Sequence, residues 1–170
     1  MPSSSVDAPV RSRALDAAVL AGLIGLCLAV GYLGSLATTP NLDPWYAGLA
    51  KPSWNPPPAV FPVVWTTLYV VMAVAAWLVW RSAADTALRN RALTAFGVQL
   101  VLNATWSWAF FGANSPGFGL VVIIALMAAI LWTARLFCDV NRWAGYLLAP
   151  YLLWVAFATV LNGTIFVMNA

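Results

Sequence analysis

Charge is confined to a few places in this chain. Ala17 to Thr39, Pro52 to Trp80, Ala92 to Ala134 and Trp143 to Ala170 hold no Asp, Glu, Lys or Arg. Each run is at least as long as the roughly 20 apolar residues that cross a hydrocarbon core at about 1.5 Å per residue. The third run has room for two crossings, and Asn114-Ser115-Pro116-Gly117 supplies a turn inside it. With 63% hydrophobic and 8% charged residues, 170 residues cannot hide their apolar surface inside a fold of their own. Lipid has to cover much of it. The sequence therefore predicts an all-α membrane protein, a five-transmembrane-helix bundle with helices near 16–37, 59–80, 92–112, 118–138 and 143–166. These form one domain over 15–168, preceded by a polar, mobile segment 1–14.

The few charges then set orientation. Arg11, Arg13, Arg81, Arg89, Arg91, Arg135 and Arg142 fall on one side of such a bundle and Lys51 alone on the other. Basic residues collect on the cytoplasmic side, which predicts a cytoplasmic N-terminus and an outside C-terminus, in the cytoplasmic membrane if the source is bacterial. The net charge of +3 needs no nucleic-acid partner to explain it. Arg11 and Arg13 before an apolar run, with Ser35-Leu36-Ala37 behind it, imitate a signal peptide. The apolar run exceeds the roughly 7–15 residues of a signal core, so it is read as a retained first helix. With no His, no zinc site or His-based triad can be assembled, and neither catalytic nor metal-binding residues are assigned. Cys27 and Cys138 lie at different depths and are read as apolar fillers rather than a bridge.

Residues 38–58 form the one long connection, rich in proline and carrying Trp45, Tyr46 and Trp54. Rigid prolines among large aromatics favour an ordered lid. Helix 1 carries small residues at Ala17, Ala21, Gly25 and Ala29, and a second row at Cys27, Gly31 and Ser35. Both rows permit close backbone approach, within the bundle or to a second subunit.

Of the 10 tryptophans, Trp77, Trp80 and Trp143 sit where indoles anchor at headgroups, and Trp132 is left between lipid and core. The others converge with polar groups at helical spacing. Phe61, Trp65, Tyr69 and Met72 share a face of the second helix, Gln99, Asn103 and Trp106 one of the third, and Tyr151, Trp154, Ala158 and Asn162 one of the fifth. Amides deep in a bilayer turn inward to find partners, so these faces meet. Two readings follow: an aromatic cavity for a flat, largely apolar molecule, or amides that merely join helices. Pro150 removes one backbone hydrogen bond beside Trp154 and should bend the fifth helix.

The run from Lys51-Pro-Ser-Trp54-Asn-Pro-Pro-Pro through Phe61 and Trp65 to Tyr69 resembles the signature of the tryptophan-rich sensory protein family, also called the translocator protein or peripheral benzodiazepine receptor (TspO/MBR) family. Gln99 to Gly112 is similar to that family's third helix and Pro150 to Asn162 to its fifth. The resemblance implies a five-helix bundle, usually a homodimer, that binds porphyrins and synthetic benzodiazepine-type ligands beneath the first loop. Its pocket falls on Trp54, Trp65, Asn103, Trp154 and Ala158, with Phe61, Tyr69 and Trp106 alongside. The C-terminal end, Val160 to Ala170, has no Tyr, Lys or Arg and so departs from the sterol-recognition pattern of animal members.

The function expected is a membrane receptor or sensor for protoporphyrin-type tetrapyrroles, the porphyrin being its ligand and no cofactor being required. Lack of His favours metal-free porphyrin over haem, and Lys51, Trp54 or Trp65 and Asn55 are the donors available to its propionates. A transporter of such lipophilic molecules and a light-dependent porphyrin-degrading enzyme are the alternatives. Lack of intramembrane charge weighs against the first, and lack of a positioned acid, base or nucleophile leaves the second only a photochemical route.

Overall fold

The computed structural model describes residues 12–82 and 84–170; of the segment expected to be mobile, residues 1–11 lie outside the described residues and Ser12 to Ala14 cap and open the first helix. Helix α1 spans Arg13–Thr38, α2 Val60–Arg81, α3 Thr86–Ser107, α4 Pro116–Val140, α5 Arg142–Leu147 and α6 Ala149–Met168. Among the described residues there is no strand.

Local chemistry sets the ends. Ser12, Asp85, Ser115 and Asn141 accept from the first free backbone N–H groups of α1, α3, α4 and α5, as capping residues do. Asn114 takes a left-handed φ of 48° in the turn before α4, and Pro116 then opens that helix. The single helix expected over 143–166 is two, α5 and α6, separated at Leu148. Pro150 cannot donate to the preceding turn and sits instead in the first turn of α6. The expected irregular loop is also partly helical: Thr39–Asn41 forms a 3-10 turn and Leu42–Tyr46 a wider π-type turn, so the chain leaves α1 gradually.

Among the described residues four segments are long and apolar enough to cross a membrane: Arg13–Tyr46, Val60–Arg81, Pro116–Val140 and Arg142–Met168. Helix α3 is as long as α2, at 22 residues, but is lowered in hydropathy by Arg89, Arg91, Gln99 and Asn103. The two amides turn inward, Gln99 to 1% and Asn103 to 4% exposure. On the outer surface the pattern reverses. Val121, Ile124, Leu131, Leu153 and Val160 are apolar and more than half exposed, the arrangement lipid requires.

The core lies where α2, α3, α4 and α6 meet, around Met72, Ile123, Ile130, Phe137, Tyr151 and Val155. Helix α3 packs most extensively on α4, and α1 lies against α2 and α3. The small row of α1 now divides. A Cβ on Gly31 would come within 2.5 Å of the Tyr69 ring, and one on Gly34 within 2.9 Å of Ser107 Oγ, whereas one on Gly25 would meet nothing. The Cys27–Gly31 row therefore faces the bundle, and the Ala17–Gly25–Ala29 row faces out. Trp77 donates from its indole to the Asp16 carbonyl at 3.0 Å and carries Arg81 over its ring, so it joins α2 to α1 besides lying at a helix end. Trp132 and Trp143 face outward. Cys27 is buried, Cys138 is half-buried, and both are free thiols.

Candidate ligand site

Between the Lys51-bearing halves of α1, α2, α3 and α6 lies a cavity of about 660 Å³, within the roughly 300–1,000 Å³ of small-molecule sites. Phe61, Trp65, Tyr69, Asn103, Trp106, Trp154 and Ala158 all line it. Trp54 does not. It stands on the turn at 53–54, about half exposed, with its ring edge-on to Phe157 at 5.8 Å.

The lining is a connected aromatic surface. Trp65 stacks on Tyr69 with centroids 5.7 Å apart and meets Tyr151 edge-on at 6.2 Å. Phe61 lies edge-on to Trp154 at 5.8 Å, and Trp106 stacks on Phe110 at 5.5 Å. Such rings present flat faces at little conformational cost, which suits a planar ligand. The Trp154 indole N–H is shielded and has no acceptor among the described residues.

The amides join helices, and Asn103 and Asn162 line the cavity as well. Tyr69 donates its hydroxyl to Asn103 Oδ1 at 2.6 Å, Asn103 donates from Nδ2 to the Tyr151 hydroxyl at 3.0 Å, and Tyr151 donates to Gln99 Oε1 at 2.9 Å. This chain ties α2, α3 and α6 together directly beneath the cavity. Asn103 and Tyr69 also form part of its wall, while Gln99 and Tyr151 lie deeper. Asn162 accepts from Trp106 Nε1 at 3.2 Å and donates to the Pro116 carbonyl at 2.7 Å, fixing the Trp106 ring and α4 at once.

The roof is pinned rather than loose. Lys51 Nζ donates to the carbonyls of Tyr46, Leu49 and Ala47 at 2.6, 2.8 and 3.1 Å and lies over the Tyr46 ring. All three ammonium protons are thus engaged. Asn55 Oδ1 accepts from the Tyr46 hydroxyl, and Trp45 and Tyr46 pack on Phe110 and Phe111. At the far end of the chain Asn169 accepts from Ala50 N and donates to Ala50 O, both at 2.9 Å. Of the donors expected for ligand carboxylates, Lys51 is taken up by the protein's own carbonyls, Asn55 Nδ2 donates to the Pro56 carbonyl at 3.3 Å, Trp54 lies outside the cavity, and the Trp65 indole lines it. Among the described lining residues Lys51 is the one ionisable cation, and no Asp or Glu lines the site.

Sequence reasoning missed Tyr46, Phe110, Phe111, Leu161 and Ile165, which also line the cavity. Phe110 and Phe111 occupy a π-type turn, Trp108–Gly112, that breaks the 3.6 period on which their face would be counted. Tyr46 had a detectable signal, an aromatic residue in a proline-rich loop.

Comparison with known proteins shows the family. The chain is 45% identical over 150 residues to the tryptophan-rich protein TspO of Chlorobaculum tepidum, covering 88% of this chain and 95% of that one. It is 39% identical to the protein of the same name from Archaeoglobus fulgidus, over 84% of this chain and 92% of that one. To the human translocator protein it is 41% identical over 69% and 70% of the two chains. Residues 23–168 match the model of the TspO/MBR family. With its apolar spanning helices, this chain is an integral membrane protein and belongs to the TspO/MBR family.

Proposed function

We propose that this protein is a membrane receptor for protoporphyrin-type tetrapyrroles and similarly flat, apolar ligands, and that they bind in the aromatic cavity beneath the 39–58 segment. The observation that carries the reading is the composition of that cavity: stacked indole and phenol rings, a few fixed amides and no carboxylate. Trp65, Tyr69, Trp106 and Trp154 supply faces, Phe61 and Ala158 set the width, and Asn103 holds the floor. Trp54 enters the site only if the turn at 53–54 moves. A ligand carboxylate is left to the margin of the site, because Lys51 is already spent on three carbonyls. In this reading α3 crosses the bilayer as the fifth span, and the protein forms homodimers.

Titrating the purified protein in darkness with protoporphyrin, a sterol and a carotenoid tests the ligand class. Saturable tryptophan quenching by protoporphyrin is expected; its absence refutes the receptor reading. Porphyrin consumed only under light would indicate the photochemical reading, and net uptake into sealed vesicles the transporter. The arginine bias supports a cytoplasmic N-terminus. In a protein lacking Cys27 and Cys138, Ser53→Cys is expected to react with an external impermeant thiol reagent and Thr86→Cys is not; the reverse pattern inverts the topology.

A further inference from the structure

Residues that line a cavity and are also exposed mark its mouth. Here every exposed lining residue comes from α1, α2 or the segment joining them, and none from α3 or α6. Tyr32 is 66% exposed, and Leu28, Pro62 and Thr66 are exposed on the two helices; Thr39, Leu42, Ala47 and Pro58 are exposed on the segment above them. The reason lies in how α1 leans. It touches α2 at Gly31 against Tyr69, but further toward Thr38 its close contacts are with the end of α3, Gly34 on Ser107 and Ala37 on Gly112. Exposed lining residues on both helices, Leu28 and Tyr32 of α1 and Pro62 and Thr66 of α2, mark a slit along this side of the bundle. Thr66 lies six residues into α2, about 9 Å from its start, so the slit is at membrane depth rather than in water. Its lips carry no charge. The roof, by contrast, is held by Lys51 on three carbonyls and by the reciprocal Asn169–Ala50 pair.

We propose that the cavity is loaded sideways from the bilayer, through the slit between α1 and α2, so that its ligand is a lipid-dissolved amphiphile that reaches the site without lifting the roof. This rests on the receptor reading. It also fits a lining whose one cation, Lys51, is spent on the roof's own carbonyls: a planar ligand slides in ring first and leaves its polar groups at the slit, facing the headgroups.

Two measurements test it. The first needs no ligand. In phosphatidylcholine vesicles, with Cys27→Ala and Cys138→Ala, a spin label on Thr66→Cys is expected to be relaxed by oxygen and shielded from a water-soluble nickel chelate; the opposite pattern overturns the proposal. The second follows protoporphyrin, dissolved in the vesicle lipid, by its own fluorescence. The Ser35→Phe/Thr66→Phe pair narrows the slit and is expected to slow association and dissociation together by tenfold or more, with Kd changed less than threefold. Asn169→Ala removes one tie of the roof and Lys51→Met/Asn169→Ala removes both; each is expected to leave both rates within twofold. Should the Phe pair fail to fold, Tyr32→Ala widens the mouth and is expected to speed both rates. Faster exchange in either roof variant with unchanged rates in the slit variants would show that ligand passes under the roof, and would sink the proposal. Absence of saturable porphyrin binding by the wild type would remove the receptor reading instead, and the spin label then decides on its own whether the slit opens to lipid.

Discussion

Replacing Asn103 by Leu keeps the side-chain volume close and deletes the amide on which the helix joint depends. Two hydrogen bonds go, one from the Tyr69 hydroxyl and one to Tyr151. Side-chain hydrogen bonds inside membrane proteins are worth about 0.6 kcal/mol each on average, which gives roughly 1.2 kcal/mol for the pair. Tyr151 still donates to Gln99, but the Tyr69 hydroxyl, in a residue only 8% exposed, loses its acceptor. A stranded buried donor adds about 1 kcal/mol or more, for a total near 2 kcal/mol. Tyr69→Phe, which removes one bond, should cost about 1 kcal/mol. In the double variant no hydroxyl is stranded and the shared Tyr69–Asn103 bond is lost only once, so the loss should fall short of the sum by roughly 1.6 kcal/mol. Reversible unfolding in mixed micelles by titration with a denaturing detergent reads all four proteins. Stability of Asn103→Leu within about 0.3 kcal/mol of wild type, or a strictly additive cycle, would refute the joint.

Gly31→Leu should destabilise the bundle by about 1–3 kcal/mol through collision with Tyr69. Gly25→Leu should fold normally, and a shift of its oligomer toward monomer, read by light scattering in detergent, would place the dimer on that face of α1. Loss of one stacking ring in Trp65→Leu or Trp154→Leu should weaken protoporphyrin binding several-fold, at about 1 kcal/mol, while Trp143→Leu, 68% exposed on the outer surface, should leave it unchanged. Equal affinities in all of these, by fluorescence titration, would move the porphyrin site elsewhere. Lys51→Met should speed hydrogen exchange over residues 46–51 and change porphyrin affinity less than threefold. A large loss of affinity with unchanged exchange would make Lys51 a ligand contact instead.

The helical faces were legible because periodicity at 3.6 residues fixes which side chains look the same way: Phe61, Trp65 and Tyr69 could be grouped from spacing alone. Depth was legible for Asn103, since a buried amide in a spanning helix has to look inward. The features that the residues did not reveal depend on backbone departures from that period. The break at Leu148, the helical turns after Thr38 and the π-type turn at Trp108–Gly112 each shift the register of the side chains beyond them. The placing of Trp54 outside the cavity and of Lys51 on its own backbone was hidden for another reason. In a loop no period says which way a side chain points, and a lone cation near a cavity looks the same whether it faces a ligand or ties its own backbone.

The chain of hydrogen bonds beneath the cavity has a direction. Tyr69 gives its proton to Asn103, Asn103 gives one to Tyr151, and Tyr151 gives its own to Gln99, whose Nε2 is left without an acceptor. Tyr69 therefore offers upward only an oxygen lone pair. Rotating the amides of Gln99 and Asn103 by half a turn preserves the number of bonds and reverses every one. Gln99 then donates to Tyr151, Tyr151 to Asn103 and Asn103 to Tyr69, and the Tyr69 proton is released toward the cavity. The floor can thus offer the cavity an acceptor in one setting and a donor in the other, without displacing a helix.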